Sequence, residues 1–156
     1  MSEANYPTGG EFLLRETEPV DCFTPEDFDE NQRMFSTTVD GFVEQVIAPV
    51  RDDLEYNGNT RLGKGLLKQA AEMGLLMIDI PEAYGGMGSN KATIMLVSER
   101  IAQAGSFAVT HGAQSGIGTL PIVYFGTEDQ KKKYLPSSLR IAVVAAARAS
   151  LPLPQS

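Results

Sequence analysis

Thr24-Pro25-Glu26-Asp27-Phe28, running on through Phe35, Val39, Phe42, Val43, Val46 and Ile47 to Pro49, decides the fold class of this chain. Thr24 is a residue that caps exposed N–H groups, Pro25 suits a first helical position, and two carboxylates suit the positive end of a helix dipole. The apolar residues then recur at helical spacing, so the stretch predicts an amphipathic helix of about six turns that Pro49 ends or kinks. The Phe28/Phe35/Phe42 stripe is read as its core face.

Working outward, a second helix is predicted over Leu62 to Met73, with Leu66, Leu67, Ala70, Ala71 and Met73 on its apolar face. Gly74 is placed to end it in a left-handed conformation. Leu75 to Ile80 is a short apolar run that reads as extended, and Pro81 to Asn90 reads as a loop. A third helix follows over Lys91 to Ala104. The segment Ser106 to Thr119 is helical but rich in small residues: Ala108, Gly112, Ala113, Ser115, Gly116 and Gly118. Such a helix either packs very closely or lines a slot for an apolar ligand, and the residues alone leave both open. Pro121 to Phe125 reads as an apolar turn. Thr127-Glu128-Asp129-Gln130 is a capping box, and Lys131-Lys132-Lys133-Tyr134-Leu135-Pro136 closes its helix with cations and a proline stop. Five helical segments and no convincing strand pair predict an all-α fold.

The 156 residues suit one ordinary domain, and 42% hydrophobic against 21% charged residues is a globular composition. The formal net charge of −7 argues against nucleic-acid binding, which needs a basic face. No apolar run approaches membrane-spanning length, and the polar start Met1-Ser2-Glu3-Ala4-Asn5 is unlike a signal peptide. Cys22, the single cysteine, fits a reducing compartment, so a cytoplasmic protein is expected. Composition breaks sharply at the end. All acidic residues precede Pro136, and the only charges after it are Arg140 and Arg148. The expected organisation is an extension over 1–23, a helical domain over 24–136 and a divergent, irregular tail over 137–156. The tail has the Ala, Arg, Ser, Leu and Pro bias of GC-rich DNA read out of frame.

Few residues qualify as candidate sites. Gly85-Gly86-Met87-Gly88 lacks the Gly-Lys-Ser/Thr of a phosphate loop and reads as a turn. His111 has no neighbouring Cys or second His to form a metal site and reads as non-catalytic. Lys131 to Lys133 read as a solvated helix end, and no cation cluster activates Cys22.

Taken together, Gly74-Leu75-Leu76, Pro81-Glu82-Ala83-Tyr84-Gly85-Gly86-Met87-Gly88 and Gly118-Thr119-Leu120-Pro121-Ile122, with Phe125 to Pro136, resemble the N-terminal helical domain of the acyl-CoA dehydrogenase family of flavoproteins. The opening Gly9 to Leu14 and Phe23 to Phe28 are similar to its long- and very-long-chain branch. The resemblance implies α,β-dehydrogenation of a fatty acyl-CoA in fatty acid β-oxidation. A carboxylate takes the α-proton, hydride passes to FAD, and an electron-transferring flavoprotein reoxidises the flavin. It also implies a three-domain, homo-oligomeric enzyme whose flavin contacts and catalytic Glu lie mainly in the second and third domains.

From Ser137 onward the chain matches none of the strand that begins the flavin site. No catalytic residue, cofactor-binding residue or metal ligand is therefore assigned, and Glu128 and Asp129 are read as capping carboxylates. What the resemblance carries over is an acyl-chain wall: Val109, Thr110, Ala113 and Ile117. The expectation is the N-terminal part of an FAD-dependent dehydrogenase, inactive alone and not retaining FAD. The alternatives are a non-enzymatic helical module pairing with a separate chain that supplies the missing domains, and a stand-alone acyl-CoA binder.

Overall fold

The computed structural model describes Pro7 and residues 9–136. The expectations for the tail over 137–156, and the module reading's reliance on Ile141 to Ala149, lie outside the described residues. The chain divides into two compact units, Met1–Met34 and Phe35–Ser156. Among the described residues there is no strand, and five continuous helical runs make an all-α protein.

In the first unit, 3-10 turns over Glu11–Leu13, Pro19–Asp21 and Pro25–Asp27 precede the first helix, α1 (Glu30–Phe42). The Thr24 N–H donates to Asp27 Oδ2 at 2.8 Å, but the turn it caps stops at once, because Phe28 takes ψ 129°. A second reciprocal cap then starts the helix. Asp29 Oδ1 accepts from the Gln32 N–H at 2.8 Å, and the Asp29 N–H donates to Gln32 Oε1 at 2.9 Å. The helix predicted from Thr24 therefore begins at Glu30. Phe28 leaves the predicted core stripe and pairs edge-to-face with Phe23, ring centroids 5.4 Å apart.

In the second unit, Pro49 does not end the helix. A π-helical turn over Val43–Ile47 lets the Ala48 N–H reach Val43 O, and a 3-10 turn over Ala48–Val50 carries the chain into α2 (Arg51–Tyr56). The wider turn accommodates the proline, which has no N–H to contribute and disfavours a regular α ladder. Helix α3 (Thr60–Glu72) is capped by Asn59, whose Oδ1 accepts from the Leu62 N–H at 3.0 Å. Gly74 stops the helix as predicted, with φ +80° and the Leu75 N–H bonded to Ala70 O at 2.9 Å.

Leu75 to Ile80 is not extended. It is a chain of tight turns in which the Met77 N–H bonds to Gly74 O and the Ile80 N–H to Met77 O, while Leu75, Leu76, Met77, Ile78 and Ile80 are all buried. Then come α4 (Lys91–Ala102), α5 (Ser106–Gly112), a π-helical turn over Ala113–Thr119, α6 (Leu120–Phe125) and α7 (Glu128–Tyr134). The predicted turn over Pro121 to Phe125 is thus helical. Pro121 follows directly on the π turn over Ala113–Thr119, whose wider geometry accommodates a residue without an N–H, as at Pro49. The capping box of α7 is as read: the Gln130 N–H donates to Thr127 Oγ1, and the Thr127 N–H to Gln130 Oε1.

The main core joins α1, α3, α4 and α5 through Phe42, Ile47, Leu66, Val97, Ile101 and Phe107. Phe35 packs against that core and Phe42 lies within it, so two members of the aromatic stripe behave as expected. A smaller cluster of Met77, Ile80 and Leu135 gathers Tyr84, Ile122 and Val123 around the foot of α7.

Candidate functional site

The helical run over residues 106–125 has two faces of opposite character. Phe107, His111 and Gln114, spaced by four and three, are buried. Phe107 meets Phe42 edge-to-face with centroids 5.9 Å apart. Val109, Thr110, Ala113 and Ile117 share the opposite face, and all four are exposed; Val109 is 74% and Ile117 83% exposed. Gly112 and Gly116 beside them are not there for close packing. A Cβ on Gly112 or Gly116 would meet nothing within 4 Å. The expected wall is therefore a bare, shallow, mainly apolar surface, of the kind that a second surface or a ligand covers.

The π turn that continues this face keeps its loosened carbonyls bonded to side chains. Ser115 Oγ donates to His111 O at 2.9 Å, and Thr119 Oγ1 to Gln114 O at 2.7 Å.

Sequence reading missed how α5 is held. The Ser106 N–H donates to Glu55 Oε1 at 2.6 Å, placing a carboxylate from α2 at the positive end of α5. That hydrogen bond holds the Glu55 carboxyl below its usual range. One turn earlier on α2, Arg51 donates to Gln103 O at 2.8 Å, at the negative end of α4. The signal was present as Arg51 and Glu55 four residues apart, but it is hidden once Pro49 is taken as a stop.

Between α2, α3 and α5 lies a solvent-open cavity of about 300 Å³, lined by Leu54, Gly58, Gly63, Lys64, Leu67 and Thr110 among others. Of the four wall residues, Thr110 alone borders it.

His111 is a core residue. Its ring contacts Leu75 O through Nε2 at 3.1 Å, so that nitrogen carries the proton, and burial lowers its pKa despite this bond and the Asp79 charge. As the only histidine, it should give a single imidazole titration by NMR with a midpoint below 6.5. The sign for stability follows. Below about pH 6.5 the unfolded chain takes a proton that the folded chain refuses. Stability linked to His111 is thus complete above that pH and declines as pH falls towards the folded value. A midpoint at or above 6.5 would contradict this burial.

The glycine loop offers no phosphate cradle. The amides of Gly85, Gly86, Met87, Gly88 and Ser89 are bonded to carbonyls of Glu82, Pro81, Met77, Ile80 and Ile78. Lys131 pairs with Glu128 at 3.7 Å, and Lys133 lies over Tyr134, 5.1 Å from its centroid, as befits a helix end. Cys22 is exposed, and among the described residues no group of three or more His, Cys, Asp or Glu could hold a metal ion. Among them, too, no helix is long and apolar enough to cross a membrane.

Comparison with known proteins agrees with this helical arrangement. Residues 29–141 match the family described as Acyl-CoA dehydrogenase, N-terminal domain. A probable acyl-CoA dehydrogenase of Bacillus subtilis (strain 168) is 45% identical over 133 residues, covering 85% of this chain and 22% of that protein. A mitochondrial isovaleryl-CoA dehydrogenase of Solanum tuberosum is 33% identical over 110 residues, 70% of this chain and 27% of that protein. The crystal structure of an acyl-CoA dehydrogenase complexed with FAD from Bacillus anthracis superposes with a TM-score of 0.79 at 46% identity, over 84% of this chain and 23% of that one. This chain therefore spans about a quarter of the length of these relatives. On the family match, the shared helical fold and these identities, the chain belongs to the acyl-CoA dehydrogenase family, of which it carries the N-terminal helical domain.

Proposed function

We propose that the chain supplies the acyl-chain side of the substrate site in an FAD-dependent dehydrogenase acting on fatty acyl-CoA thioesters. The observation that supports this is the outward face of Val109, Thr110, Ala113 and Ile117, exposed together and uncluttered at Gly112 and Gly116. Such a face binds an unbranched hydrocarbon by excluding water from it and directs no polar group at it.

FAD is a different matter. The described residues do not fit its pyrophosphate: the glycine-loop amides are spent, and α3, α4, α5 and α7 are capped by Asn59, Asn90, Glu55 and Thr127. FAD, the catalytic carboxylate and the contacts for an electron-transferring flavoprotein belong on this reading to residues outside those described. The domain alone is accordingly inactive and flavin-free, and it works within a homo-oligomeric enzyme of β-oxidation. The single cysteine fits a cytoplasmic setting.

Grafting residues 29–141 into the corresponding place in the Bacillus anthracis enzyme tests the wall. The graft should retain flavin and oxidise acyl-CoA. Ala113→Phe within it should raise KM for long acyl chains about tenfold or more. A flavin-loaded graft whose chain-length profile ignores Ala113→Phe would remove these residues from the acyl site.

A further inference from the structure

We propose that the outward face of residues 106–125 is where two copies of this chain pair, antiparallel about a two-fold axis beside Ala113. Charge picks out the face. Residues 1–34 hold nine acidic and two basic residues and so carry the whole formal charge of −7, whereas residues 35–156 hold eleven of each. Net charge of one sign opposes self-association, so two copies meet most readily where none is displayed. From Ile101 to Thr127 there is no Asp, Glu, Lys or Arg, the longest such stretch in the chain, and its one histidine is buried.

The stretch is also open. With Val109, Thr110, Ala113 and Ile117, the exposed rings of Tyr124 and Phe125 leave on the order of 700 Å² of accessible surface along the run. A specific interface takes about 600–1,000 Å² from each partner, so this strip supports a small, reversible pair. Charged groups stand at its margins: Glu55 at Ser106, Lys64 in the cavity lining that Thr110 shares, and Lys91 over the Tyr124 ring, 5.5 Å from its centroid. They make the polar rim that surrounds the apolar centre of an interface. The symmetry follows from spacing. Val109, Ala113 and Ile117 are four apart, and four residues come close to one turn in α5 and in the π turn alike. With the axis at Ala113, Val109 meets Ile117 of the partner subunit and Ile117 meets Val109 of the partner subunit, the reciprocal contact of an isologous pair. Pairing covers this face with or without an acyl chain, and so is independent of the acyl reading.

Sedimentation velocity of the full chain should show monomer passing to dimer across the micromolar range. Added salt should strengthen the pairing, because it screens the charge of residues 1–34 and leaves an apolar contact intact. Ile117→Glu should raise the dissociation constant about tenfold or more. Its thermal melt, taken at concentrations where both forms are monomeric, should be unchanged, because the position is exposed. Leu14→Glu, at an exposed apolar position of the first unit, should leave the pairing as it was. In a Cys22→Ser background, oxidation should cross-link Ala113→Cys to itself, and Val109→Cys to Ile117→Cys but not to itself. A chain that stays monomeric throughout the range overturns the proposal. So does pairing that survives Ile117→Glu, pairing that weakens with salt, or Val109→Cys cross-linking to itself.

Discussion

Phe107→Ala is expected to lower stability by about 3–5 kcal/mol, read as a loss in the urea-unfolding midpoint at unchanged slope. The ring is 1% exposed and sits where α1 and α5 meet, edge-on to Phe42 and 6.3 Å from the His111 ring. Truncation removes the transfer energy of a whole aromatic ring and leaves a void whose walls are helices with other contacts to keep. Helical backbones cannot close such a gap without breaking neighbouring packing, so the cavity penalty is felt in full. Against a typical total of about 5–15 kcal/mol, a loss of this size populates the unfolded chain visibly at room temperature. A change under about 1 kcal/mol would mean that α5 does not rest on α1 through this ring.

The second large effect is Gly86→Ala, with a loss of about 3 kcal/mol or failure to fold. A Cβ there runs into the carbonyl oxygen of Ile80, and the obstruction is backbone, which cannot swing aside as a side chain would. That same carbonyl accepts the Gly88 N–H at 2.9 Å, so moving it to make room breaks the hook that folds the loop onto residues 77–80. Gly65 in α3 is the control. A Cβ there meets nothing within 4 Å, and Gly65→Ala should stabilise by roughly 1 kcal/mol through helix propensity alone. Thermal melts of the two variants should move in opposite directions; movement in the same direction would refute the steric account of Gly86.

The features legible in the sequence are those whose cause is local. Thr127 and Gln130 bond across three residues, and Gly74 ends α3 by its own backbone freedom, so both were readable without knowledge of the fold. The start of α1 was misread because two caps stand in tandem, Thr24 with Asp27 and Asp29 with Gln32. Phe28 between them decides, by its backbone angle, which one propagates. At Pro49 the sequence leaves a stop and a kink both open: proline argues against a regular α ladder but not against a wider turn, and the π turn that carries the helix on is invisible to a 3.6-residue period. For the candidate site, residue sizes mark one helix and the resemblance marks four positions on it. Neither could show that those positions face outward together, since that depends on Phe107, His111 and Gln114 facing inward against distant residues. The cavity behind Thr110 was out of reach, because it joins residues about fifty positions apart.

The hold of α2 on the corner between α4 and α5 has a consequence for how this region can vary. Arg51 and Glu55 grip the corner from outside, one at an outgoing carbonyl and the other at an incoming amide. The linking residues then need only follow a path already set for them, with Gly105 at φ +62° the point where that path admits no ordinary side chain. The grip also has a direction. Exchanging the two charges would keep the composition of α2 and set each against the helix end that repels it. A sequence drifting neutrally can therefore change the corner readily, but it cannot pass through the mirror arrangement of the splint. The lie of α5 is thus governed by two residues that belong to another helix.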